Sequence, residues 1–171
     1  MIDLKQVNVA VVVASDSRSR GERRDETGPA ARAALSAVGV ENVLVKIVPD
    51  EKERLKETLT VLAQNPDISL ILTAGGTGLA PRDVTPEATL SVVERIVPGI
   101  PELLRHESLR ITPKAALSRG VAGVLNRTLI INLPGSPKAV AESVAILTPL
   151  LAHALETVLG LATECATSIT S

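Results

Sequence analysis

The stretch Val7 to Ala14 (VNVAVVVA) constrains this chain more than any other. A near-continuous run of β-branched and small apolar residues suits a strand covered on both faces. Strands of that kind belong to parallel sheets with helices above and below. The order of the following segments agrees. A polar loop from Ser15 to Glu26 is followed by Thr27-Gly28-Pro29, which opens a helix with Ala31, Leu35 and Val38 on one face. Gly39 stops that helix. Val43 to Val48 reads as a second strand, and Glu51 to Gln64 as a helix through Leu55, Leu59 and Leu62. Pro66-Asp67 breaks it, and Leu70 to Thr73 is a third strand.

The second half changes character. Thr85-Pro86 reads as a helix start, with the helix reaching about Val97. Pro98, Pro101 and Pro113 punctuate short helical pieces around Leu103, Leu104 and Leu109. Val121 to Leu125 and Thr128 to Leu133 are separated only by Asn126-Arg127 and read as an antiparallel hairpin, although its turn lacks a glycine. Ser136-Pro137 caps a final helix to about Leu159, striped by Val140, Val144, Leu147 and Leu151. Pro149 inside that stripe predicts a kink or a restart. Gly160 ends it, and residues 161–171 are expected to fray. The expectation is a single three-layer α/β domain over residues 1–171 with its core at about 7–160. Its sheet should be mostly parallel, flanked by helices, with one antiparallel hairpin. Val11, Val13, Leu70, Ile71, Leu72, Ile130 and Ile131 should fill the core.

Composition excludes several functions. The 171 residues include no Phe, Tyr or Trp. Without those aromatic rings there is no base-stacking platform, which argues against single-stranded nucleic-acid recognition. Eighteen basic residues against nineteen acidic ones give a net charge of −1, unlike a basic nucleic-acid binder. The single cysteine, Cys165, allows neither an internal disulfide nor a thiolate cage. No stretch reads as a membrane span and no apolar run follows a basic start, so the expected setting is cytoplasmic, without a membrane partner.

In an open doubly wound sheet, ligands bind outside the carboxyl ends of the strands. The segments leaving the strands are Ser15-Asp16-Ser17, Pro49-Asp50-Glu51, Gly75-Gly76-Thr77-Gly78 and Pro134-Gly135-Ser136. Glycines after a strand let backbone N–H groups approach a phosphate. The glycine loop is neither a P-loop, since no Gly-Lys-Ser/Thr follows, nor a dinucleotide fingerprint, since position 81 is proline. Asp50 and Asp83 each precede a helix, so each either caps it or holds Mg²⁺ against phosphate oxygens. Arg18, Arg20, Arg23 and Arg24 crowd the first loop, but Asp16, Glu22, Asp25 and Glu26 balance them, so a solvated loop is expected. His106-Glu107 lacks the second histidine of a zinc protease, because position 110 is arginine.

Six segments together resemble the family of molybdenum-cofactor biosynthesis proteins that adenylylate molybdopterin (the MoaB and Mog type). They are Ser15-Asp16-Ser17, Val48-Pro49-Asp50-Glu51, Leu72 to Gly78, Pro81-Arg82-Asp83-Val84-Thr85-Pro86-Glu87-Ala88, Leu117-Ser118-Arg119 and Asn132 to Pro137. The resemblance runs from about Val7 to Gly160. It implies Mg²⁺-dependent transfer of AMP from ATP to the terminal phosphate of molybdopterin, with pyrophosphate leaving. Catalytic and metal-binding roles would then fall on Asp50 and Asp83. Nucleotide contacts would fall on Ser15, Asp16, Gly75, Gly76, Thr77, Gly78, Pro134, Gly135 and Ser136, and pterin contacts on Ser118, Arg119 and Arg82. A homotrimer or hexamer and hand-off to a molybdate insertase are also implied. The alternatives are a non-catalytic molybdopterin-binding or assembly protein of the same fold and, more weakly, a receiver-type signalling domain. The third strand ends in Thr73-Ala74 where a receiver domain would carry an acceptor aspartate.

Overall fold

The computed structural model describes residues 2–161. Cys165 and, apart from Leu161, the tail expected to fray lie outside those residues. Six strands form one sheet: β1 (Asn8–Ala14), β2 (Asn42–Val48), β3 (Ile68–Ala74), β4 (Arg95–Ile96), β5 (Ala122–Leu125) and β6 (Thr128–Leu133). Their spatial order is β2-β1-β3-β6-β5-β4. β2, β1, β3 and β6 run parallel, and β5 is antiparallel to both its neighbours. The α/β expectation is borne out, hairpin included.

The run that opens the chain explains the layering. Val9 to Ala14 are all buried, and their side chains alternate between two separate cores. Val9, Val11 and Val13 pack toward α2 (Thr27–Ala37), α5 (Gly99–Leu109) and α6 (Pro137–Leu159). Ala10, Val12 and Ala14 pack toward α3 (Lys52–Gln64) and α4 (Thr85–Leu90). Both cores are aliphatic throughout. Leu35, Leu55 and Leu59 have no exposed surface, each contributing roughly 2–3 kcal/mol of burial. All seven residues expected in the core are buried.

Several elements differ from expectation. The loop after β1 contains a short helix, α1 (Asp16–Ser19), capped by the Ser15 hydroxyl. Its arginines are not all solvated, because the Arg18 side chain is buried beside Asp25 at 3.8 Å. The helix from Thr85 ends at Leu90, not Val97. Beyond it, Glu94 N–H donates to the Val124 carbonyl and Val97 N–H to that of Ala122, so the sheet edge captures β-branched residues that also fit a helical pattern. α5 is one helix despite Pro101, which lies in its first turn where proline costs no hydrogen bond. α6 continues through Pro149 without a restart. At 23 residues, with a mean hydropathy of 1.3 over an 18-residue stretch, it is also long and apolar enough to cross a membrane, contrary to the expectation that no stretch would be. Here Val140, Val144, Leu147, Leu151 and Leu155 bury its stripe against the sheet and α2. In the hairpin turn Asn126 takes the left-handed conformation (φ 54°) that a glycine was expected to supply.

Candidate active site

The chain leaves β1 toward β2 on one side and β3 on the other, so the sheet has its switch point there. Three strand ends meet at this point. Gly75 follows β3 at φ 105° and donates its N–H to the Leu133 carbonyl at 3.1 Å. A methyl group on Gly75 would sit 2.5 Å from the Ala14 carbonyl oxygen, and one on Gly135 would sit 3.1 Å from the Gly75 Cα. Only glycine permits that crowding at position 75. The Thr27 hydroxyl donates to the Gly135 carbonyl at 2.9 Å, tying α2 to the same corner.

Both aspartates face this loop. A Cβ on Gly76 would lie 3.4 Å from Asp50 Oδ1, and one on Gly78 would lie 2.8 Å from Asp83 Oδ2. Neither aspartate caps the helix after it. The cap position of α3 is Glu51 and that of α4 is Val84, and neither start has a side-chain cap. Asp50 Oδ2 instead accepts from the Asp16 N–H at 2.9 Å, while Asp16 Oδ1 accepts from the Asp50 N–H at 3.0 Å. Asp83 Oδ2 turns back to the Ala80 N–H at 2.8 Å. Each aspartate thus spends one oxygen on the protein and keeps Oδ1 without a hydrogen bond from the described residues.

The charges are graded. Arg82 forks onto Asp16 at 2.7–3.0 Å and holds that carboxyl below its ordinary range. Burial pushes the Asp50 carboxyl up, and the Asp16 and Asp83 carboxylates push it the same way. Arg119 reaches into the loop from the segment before β5. Its Nε donates to the Gly78 carbonyl at 2.7 Å and its Nη2 to the Asp83 carbonyl at 2.6 Å, while Nη1 pairs with Glu87. Three of its five donors are therefore spent inside the protein.

Ser118, the residue before Arg119, lines a cavity of about 270 Å³ with Thr77, Gly78, Thr112, Lys114 and Pro134. A smaller cavity of about 40 Å³ adjoins it, lined by Ser118, Arg105, Asn132 and Ser143. Asn132 anchors this floor, with its amide donating to Thr73 Oγ1 and Thr89 Oγ1 at 2.9 Å each. The structure therefore gathers Ser15, Asp16, Asp50, the glycine loop, Asp83 and Gly135 at one edge, with Ser118 and Pro134 lining the cavity beside it.

Sequence reasoning missed Arg105, Lys114, Asn132 and Thr85. For Asn132 a signal existed: it is the one amide in the strand TLIINL, directly after an apolar Leu-Ile-Ile run. Thr85 Oγ1 is fully buried without a hydrogen-bond partner and faces the Gly76 position that Asp50 Oδ1 also faces. Two half-free carboxylates and an orphaned hydroxyl around glycines form a hard-oxygen set, whose chemistry suits Mg²⁺ completed by phosphate and water. Among the described residues no three acidic, histidine or cysteine side chains gather as a metal cage of their own.

A doubly wound sheet with a glycine loop, paired carboxylates and an adjoining pocket at its switch point defines an α/β protein that handles phosphorylated small molecules. The model of a family described as a probable molybdopterin binding domain matches residues 10–153, and the chain belongs to that family. It is 37% identical over 159 residues to a molybdopterin adenylyltransferase of Helicobacter pylori, covering 92% of this chain and 90% of that protein. It is 38% identical over 142 residues to the molybdopterin adenylyltransferase of Escherichia coli K12, covering 82% and 73%. The crystal structure of the molybdopterin biosynthesis enzyme MoaB from Thermus thermophilus superposes with a TM-score of 0.84 at 51% identity, covering 90% of this chain and 97% of that one.

Proposed function

We propose that this chain is a molybdopterin adenylyltransferase: it transfers AMP from ATP to the terminal phosphate of molybdopterin, releasing pyrophosphate, in molybdenum cofactor biosynthesis. The observation that carries the reading is the pair of carboxylates released from capping, each with one oxygen left free beside the glycine loop. The names of the relatives favour this catalytic role over a binding or assembly protein of the same fold.

The residues divide the work. Backbone N–H groups of Gly75 to Gly78 offer donors to the nucleotide phosphates, with Ser15, Asp16 and the Pro134 to Ser136 loop completing that side. Ser118 faces the pterin phosphate from the cavity wall, and Arg82 adds positive charge across the rim. Asp50 and Asp83 would hold Mg²⁺, which when bound polarises the α-phosphate and steadies the departing pyrophosphate. No general base is needed, because a phosphate nucleophile is ionised at neutral pH, so the chain's task is positioning and charge neutralisation. The same reading places the protein in the cytoplasm, as a homotrimer or a dimer of trimers, passing its product to a molybdate insertase.

The test is turnover with molybdopterin, Mg²⁺ and ATP. Asp50→Asn and Asp83→Asn keep shape but remove charge, and each should lower the rate by two or more orders of magnitude, about 3 kcal/mol. Mutants as active as the wild type would refute the carboxylate assignment. An inactive wild type that still bound both substrates would favour the non-catalytic role. Ser118→Ala should weaken pterin binding and leave ATP binding intact, as read by calorimetry.

A further inference from the structure

Arg119 grips the active-site loop at three points and α4 at a fourth. Its own N–H donates to the Thr77 carbonyl at 2.9 Å, and its guanidinium takes the carbonyls of Gly78 and Asp83 and the carboxylate of Glu87. Gly78 and Asp83 bracket an exposed segment, in which Leu79 is 66% exposed. That segment supplies Ala80, whose N–H fixes the Asp83 carboxylate. Glu87 stands on α4, with Oε2 buried and unbonded, so its one engaged oxygen is committed to Arg119. The guanidinium beside Glu87 holds its carboxyl below the usual range, so the pair stays charged to a lower pH than a free glutamate would.

We infer that Arg119, braced by Glu87, is a positioning residue that sets the loop aiming Asp83, and that it does not itself bind the pterin phosphate. The inference rests on the catalytic reading of Asp83 given above. It follows from where the donors point. A phosphate ligand presents its fork to the cavity, whereas Arg119 presents Nε and Nη2 to two backbone carbonyls of one loop. A lysine cannot replace it, because a single ammonium cannot span both carbonyls and Glu87 in the same geometry.

Two variants separate the roles, each first checked for wild-type far-ultraviolet circular dichroism and melting. Glu87→Gln is nearly isosteric and leaves the Arg119 charge unneutralised. A phosphate-binding arginine would then hold the pterin as well or better. A strut would be loosened, with kcat falling about tenfold to a hundredfold and KM for both substrates within about twofold. Arg119→Lys should behave alike. Hydrogen exchange of the Ala80 amide should accelerate in both variants, with no substrate present. Unchanged exchange in both overturns the inference, as does wild-type kcat in Glu87→Gln, or a raised pterin KM alone in Arg119→Lys. A wild type without turnover would strike the reading of Asp83 instead, while the exchange arm would still decide whether Arg119 braces the loop.

Discussion

Asp50 shows how the site is held at a cost. Desolvation raises its pKa above the reference value of 3.8, so the fold favours its neutral form. A raised carboxyl contributes stability below the unfolded value and loses it as pH rises through the folded one. At neutral pH burial therefore makes the ionised Asp50 a cost to the fold, which the hydrogen bond from the Asp16 N–H offsets only in part. Asp50→Asn, in chelator and without substrate, should melt roughly 1–3 °C higher than the wild type at pH 7. The gain should vanish on acidification below the folded pKa. A mutant that melts lower at pH 7 would contradict this. Gaining stability while losing turnover marks a residue kept for chemistry. Asp50 and Asp83 were legible as candidates because each precedes a helix, and Asp50 also because it follows the end of β2. That neither caps a helix was not legible, because the groups that divert them, Asp16 N–H and Ala80 N–H, are chosen by tertiary geometry. The roles of Arg119 and Thr85 were hidden for the same reason: what a side chain touches across the fold leaves no local pattern.

At the scale of elements, the sequence was most readable where periodicity ran long. β1, α3 and α6 fall within a residue or so of their expected bounds because each repeats its pattern over several turns or a full strand. The region after Leu90 misled because Val92, Val93, Ile96 and Val97 satisfy helical spacing while preferring a strand. Pairing with β5 settles the contest, and that partner lies some thirty residues away. The glycine loop behaves as a joint between strands β1, β3 and β6. Gly75→Ala must add a Cβ at φ 105° and 2.5 Å from a β1 carbonyl, so something in the joint has to shift. The expected loss is about 2 kcal/mol or more. It should appear in urea as a lower midpoint with an unchanged slope, and a midpoint equal to the wild type would show that the strand ends have slack.

The whole molecule leaves an aliphatic surface that its own layers do not cover. β2 is an edge strand of the sheet, with Leu44 and Ile47 partly exposed, and Val61 of α3 is 54% exposed. Open edges and scattered aliphatics are what a closed homo-oligomer covers. Equilibrium sedimentation at micromolar concentration should give a trimer or a hexamer, and a monomer alone would contradict the assembly proposed above. One property of the core reaches beyond folding. A protein built without a single Phe, Tyr or Trp has no tyrosine or tryptophan emission and no aromatic absorption band in the near ultraviolet. Its unfolding must be followed through the backbone. Fluorescence that appears when a pterin is added belongs to the pterin alone, so the chain is a dark background against which its own ligand can be watched directly.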